Sequence, residues 1–177
     1  MKRIIIVLLV SLGLMSLSPV KRTEYPIPPK TKKSLFYIQR NLNRNTIVYD
    51  ANFDKNGFLD EENPVDVYWI RYEEQGQRME LRTVEKWYAY GVKCNKIEAK
   101  KNQYDVKLVA DEDREFKLIQ TAPYKAVIYT KINNKSSQLG HLYIFADNTG
   151  YWPKVKYIEL FGKNAGTGKA VYEKINY

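Results

Sequence analysis

Cysteine and histidine are almost missing from this chain of 177 residues, which has one of each, Cys94 and His141. A lone cysteine excludes a disulfide framework and reads as a small packed side chain. One histidine and one cysteine also argue against a zinc or other transition-metal centre, which draws several nitrogen and sulfur ligands. They leave a single Cys–His couple for nucleophilic catalysis, and neither VKC nor GHLY looks like a nucleophile turn.

Long apolar runs are equally scarce. The opening MKRIIIVLLVSLGLMSLS has a positive start at Lys2 and Arg3, then about 14 mostly apolar residues. A spanning helix needs roughly 20, so the run reads as a secretory leader. Ser16 and Ser18 have small-x-small spacing, but Pro19 follows and hinders cleavage, so an uncleaved N-terminal anchor stays open beside cleaved export. No cysteine follows the run to carry a lipid. In either case the domain is expected outside the cytoplasm, in the periplasm or secreted.

A phosphate loop is missing too. GKNAGTGKA, residues 162–170, has Lys163 where the pattern needs glycine and Ala170 where it needs Ser or Thr. It reads as a turn between strands.

The net charge of +9 is less informative than it looks. Residues 19–33, PVKRTEYPIPPKTKK, hold four prolines and five basic residues against Glu24. That composition describes an extended, polyproline-like stem. The part from 34 onward has 22 basic and 19 acidic residues, so no nucleic-acid partner is expected. The expected organisation is a leader over 1–18, a stem over 19–33 and one domain over 34–177.

From Leu35 the sequence alternates between runs of period two and turn-rich gaps. VDVYWIRY sets Val65, Val67 and Trp69 against Asp66, Tyr68 and Ile70; YDVKLVA sets Tyr104, Val106 and Leu108 against Asp105 and Lys107. Only ELRTVEKWYAYG argues for a helix, near 80–90, with Leu81, Val84 and Trp87/Tyr88 at helical spacing and Gly91 as its C-cap. The expected fold is mainly β: an antiparallel meander of about ten strands closed as a barrel. Two packed sheets, a β-sandwich, fit the same pattern.

The segments LFYIQRN, NTIVYDAN, NPVDVYWIRY, AYGVK, PKVKYIELFG and TGKAVYE, in order over 35–173, resemble the small exported Bacteroidetes-type proteins grouped as domain of unknown function 4833. The resemblance implies an extracytoplasmic bacterial protein. It implies no activity and transfers no site residue.

Three features carry potential chemistry. NFDKNGFLDEEN, residues 52–63, offers Asn52, Asp54, Asn56, the Phe58 carbonyl and Asp60 at the oxygen positions of a calcium loop, with Gly57 at the sharp turn. Position 12 is Asn63, so the bidentate acid is missing, and TIVYDA enters as a strand. A structural Ca2+ would need help from Asp50 or Asp66; the alternative is an Asn/Asp/Gly hairpin turn. Second, Glu73, Glu74 and Glu159 are carboxylates that a glycan hydrolase could pair.

Third, aromatic residues make up 14% of the chain, many at alternating strand positions. They serve as core and cross-strand pairs, or as walls for a small apolar or sugar ligand. On the ligand reading, Trp69 and Arg71 share a face and Arg71 meets an acidic group. The leading expectation is thus a non-enzymatic β-domain that binds a ligand or an envelope protein. A carboxylate hydrolase and a protein-interaction module are its alternatives.

Overall fold

The computed structural model describes residues 25–100, 102–150 and 153–177. The expected leader and the first part of the stem, residues 1–24, lie outside the described residues. No helix among the described residues is long and apolar enough to cross a membrane.

Two strand arrays meet in one sheet. The first comprises β1 (Ser34–Arg40), β2 (Asn43–Ala51), β3 (Val65–Ile70) and the short β4 (Arg78–Glu80), each antiparallel to the one before. A helical segment follows, α1 (Thr83–Glu85) running into a π-turn, Lys86–Tyr90. The second array comprises β5 (Val92–Lys96), β6 (Gln103–Leu108), β7 (Asp111–Ala122), β8 (Lys125–Ile132) and β9 (Lys135–Asp147). Beyond β9 the hairpin of β10 (Lys154–Asn164) and β11 (Ala170–Asn176) extends the sheet.

β9 joins the arrays because it is long enough for two neighbours on one edge. Its thirteen residues span about 40 Å at ~3.4 Å per residue. Residues 135–138 pair antiparallel with β8, and 141–144 pair parallel with β1. The opposite edge pairs with β10 along its length. Gly140 sits between the two partners, where the edge changes hands.

The expected closed barrel is therefore corrected. The path β4-β3-β2-β1-β9-β8-β7-β6-β5 is an open half-barrel of nine strands, and β4 does not pair with β5. The meander is interrupted as well, by the parallel β1–β9 pair. Closure fails for a local reason: β4 is three residues long with every residue at the surface, and the helical segment fills the step from it to β5.

Period-two patterning sets the core. Tyr104, Val106 and Leu108 of β6 point inward, as their alternation predicts. Phe36 of β1 lies between the arms, its ring stacked 4.2 Å from that of Tyr49 and 6.2 Å from that of Phe116. Ile47, Leu118, Ile128, Leu139 and Leu160 complete the interior. Each such side chain contributes about 1.5–3 kcal/mol on burial.

The stem's second half lies against this sheet. The Gln39 side-chain amide donates to the Pro26 carbonyl at 2.9 Å, and the Tyr25 ring lies 5.5 Å from Tyr143.

Candidate functional site: the open seam

The helical segment sits with its apolar residues outward, against expectation. Leu81 is buried, but Val84, Trp87 and Tyr88 are 54%, 69% and 75% exposed. The anchors are other side chains. The Trp69 indole N–H donates to Glu85 at 3.3 Å, and the Tyr49 hydroxyl donates to the Tyr90 carbonyl at 2.8 Å. The Arg40 guanidinium donates to the Tyr90 hydroxyl. Burial raises the affinity of Glu85 for a proton, yet hydrogen bonds from Arg82 and Trp69 outweigh it and hold the carboxyl below its ordinary value. Gly91 does not act as a left-handed cap: its backbone is extended. Glycine is required there because a Cβ would strike the Lys86 carbonyl of the π-turn.

Beneath this segment the two sheet ends face each other across a groove of about 760 Å³. Val65, Asp66 and Val67 form one wall, Val92, Lys93 and Cys94 the other, and Trp87 stands at the mouth. The backbone on both walls is partly unpaired. The Gly91 carbonyl accepts from Val109, and Ile97 N–H donates to Gln103. Antiparallel alternation then turns the backbone groups of Val92, Cys94 and Lys96 into the gap. Opposite them, Asn52 N–H donates to the Pro64 carbonyl. The same alternation points Val65 away from β2, beyond the reach of β4, which pairs only with Tyr68–Ile70. Cys94 is half-buried, and desolvation pushes its thiol up to about 11, which keeps it protonated and unreactive at neutral pH.

Trp69 and Arg71 come together, but as packing. Trp69 is 3% exposed, with the Arg40 guanidinium 4.8 Å and the Arg71 guanidinium 5.4 Å from its ring centre. The Tyr90 ring meets it edge-on at 5.2 Å, and Arg71 Nε lies 3.6 Å from Glu74. Neither residue lines the groove.

The 52–63 loop is bonded to itself. Asp54 Oδ1 accepts from Asn56 N–H (2.8 Å) and Phe58 N–H (2.9 Å), and the Asn56 side-chain amide donates to Oδ2 at 3.4 Å. The Phe58 carbonyl accepts from Asp54 N–H at 2.7 Å. Asp60 Oδ1 accepts from Glu62 and Asn63 N–H, while the Asn52 amide donates to the Asn63 carbonyl at 3.0 Å. Gly57 turns through φ +81° beneath Tyr124, whose hydroxyl donates to the Lys55 carbonyl at 2.7 Å. Asp50 and Asp66 face each other across β2 and β3; the Tyr68 hydroxyl donates to Asp50 and Arg78 pairs with Asp66. Among the described residues no group of three or more His, Cys, Asp and Glu is placed to hold a metal.

These bonds, led by that from Phe58, hold the Asp54 carboxyl below its ordinary pKa. A depressed folded pKa adds stability that is full above the unfolded value of about 3.9 and is lost as pH falls through the lower folded value. Asp54→Ala is expected to lower the melting temperature by a few degrees at pH 7 and by progressively less as the pH falls through the folded-state pKa of Asp54, with no stabilisation by added Ca2+. Thermal melts with and without a chelator check this; a calcium-dependent rise in melting temperature would overturn the self-bonded turn.

The hydrolase carboxylates are dispersed. Glu73 accepts from Arg44 N–H in the β3–β4 turn, and Glu74 lies beside it near Arg71. Glu159 is four strand positions away on β10, buried at 1% exposure and accepting from the Tyr172 hydroxyl at 2.7 Å. His141 is stacked between Tyr37 and Phe161 on the outer face of β9, at 4.8 and 4.4 Å.

Sequence reasoning missed the seam. The signals were β4's brevity and a Trp87–Tyr88 pair with no opposing apolar run. No curated protein and no solved structure matches the chain. Residues 36–174 match one family across the strands of both arrays, and the chain belongs to that family, described as a domain of unknown function, DUF4833.

Proposed function

We propose that this is an exported, non-enzymatic domain that holds an extended segment of a partner polypeptide in its open seam. The observation that carries the reading is the groove between two unpaired strand edges, with Trp87 exposed at its mouth. Unpaired N–H and C=O groups in a row recognise another backbone, and alternate side chains of an added strand fill the pockets beside it. Exposed aromatic residues then supply the binding energy at the rim.

Charge favours a foreign partner over a second copy. Glu62 and Asp66 lie on one wall and Lys86 and Lys93 on the other. Two copies of β5 paired edge to edge would bring Lys93 and Lys96 of each together, which is unfavourable.

The test uses cells that express the full chain with a photo-crosslinking residue in place of Trp87 or, as control, exposed Lys131 on β8. An adduct of one defined polypeptide mass is expected at 87 and absent at 131. Introducing Cys94→Pro in the same chain removes an N–H that faces the gap and spares the β6 ladder. The adduct should then disappear while the melt stays cooperative. An adduct that survives the proline overturns strand addition, and no adduct at 87 overturns the partner.

A further inference from the structure

A second cavity of about 380 Å³ lies on the opposite, outer face of the sheet, between the stem and strands β1, β9 and β10. Its roof is the stem itself. The stem is pinned at one end by Gln39 to Pro26 and at the other by a knot of Thr31 and Ser34, where Thr31 N–H donates to Ser34 Oγ at 2.9 Å. Between the pins, residues 27–30 arch over the strands. The floor is open at Gly140, where a side chain would meet only the Phe161 carbonyl.

The walls are apolar: Ile27, Pro28, Leu35, Tyr37 and Phe161. Ile27 is 76% exposed, a large aliphatic group left without cover beside the opening. The charges at the cavity are all of one sign. Lys30 and Lys163 line it, no Asp or Glu does, and neither lysine forms an ion pair among the described residues. Two unpaired ammonium groups at the rim of an apolar slot match an anion with an apolar body.

We propose that this slot binds a free amphiphilic anion: one medium-length alkyl chain ending in a carboxylate or phosphate. The alkyl chain would lie beneath the arch against Tyr37 and Phe161, and the head group would sit between Lys30 and Lys163. The roofed shape suits a single chain and not a flat bilayer. The proposal is independent of the seam, which lies on other strands and shares no lining residue with it.

The experiment is isothermal titration of the full chain with sodium decanoate below its micelle concentration, beside the neutral decyl glucoside. Saturable one-to-one decanoate binding is expected, with none for the glucoside. Lys30→Gln with Lys163→Gln should weaken decanoate binding about tenfold or more, while the melting temperature stays at the parent value because both side chains are unpaired. Equal binding of the neutral amphiphile, binding that ignores the double substitution, or no binding overturns the proposal. Sedimentation with phosphatidylglycerol vesicles separates the other source of the same chemistry; binding to vesicles without binding to decanoate overturns it in favour of a membrane surface.

Discussion

Phe36→Ala is expected to cost about 3–5 kcal/mol of folding stability, the range for deleting a buried phenylalanine. Phe36 is 3% exposed and stacks on Tyr49 from its own array and on Phe116 from the other. In hydrogen bonds the arrays meet along β9 and through the 52–63 loop, where Gln120 and Tyr124 donate to the Gly57 and Lys55 carbonyls, so Phe36 is their joint within the apolar interior. The cavity left behind cannot collapse easily, since β1 is fixed between β2 and β9 by both ladders. Domains of this size are commonly stable by about 5–15 kcal/mol, so the variant should sit close to unfolding at 37 °C. Urea denaturation of the two chains measures the loss. A loss under about 1 kcal/mol, the scale of an ordinary surface change, would mean the stacked rings are not the joint between the arms.

Gly162→Ala should cost about 1–3 kcal/mol, the penalty for overpacking. A Cβ there would stand 2.8 Å from Ile132 Cδ1 and closer still to the Gln138 carbonyl. The isoleucine tip can rotate away, but the carbonyl belongs to the β9–β10 ladder, where Gly162 pairs beside a register shift. The two contacts can be separated. Adding Ile132→Val to Gly162→Ala relieves only the flexible one, so the double variant is expected to recover no stability. Recovery to the level of Ile132→Val alone would place the constraint in the side chain instead of the backbone.

Much of the fold was legible because alternation is a local property. The inward set Tyr104, Val106 and Leu108 and the strand nature of the 65–70 run follow from side-chain period alone. What was not legible depends on residues far apart in sequence. Tyr37 pairs with His141, and nothing near either marks that register. The barrel expectation failed elsewhere and locally: β4 and β5 follow each other in the chain yet do not pair, because the helical segment fills the step between them. The helical segment was misjudged for a different reason. Its apolar spacing is real, but Glu85 and Tyr90 fix its rotation, and a spacing rule gives polar anchors no weight. The stem showed the converse. Its proline-rich composition signals extension, yet one amide from Gln39 is enough to tie an extended chain to a sheet. The 52–63 loop had the right oxygen-bearing residues for either reading, and only the direction of each hydrogen bond shows where those oxygens point.

The parallel pairing of β1 with β9 also sets the order in which the molecule can assemble. A hairpin of β1 and β2 needs only a short local loop, but the far edge of β1 has no partner until residues 141–144 exist. Contacts so distant in sequence are the slow ones, because a long loop must be closed before they give any return. Until then the first array carries an open, apolar edge, the kind of surface that draws chaperones or self-association. The second array faces no such delay, since each of its strands follows its neighbour directly. The first strand to be made is therefore among the last to be placed.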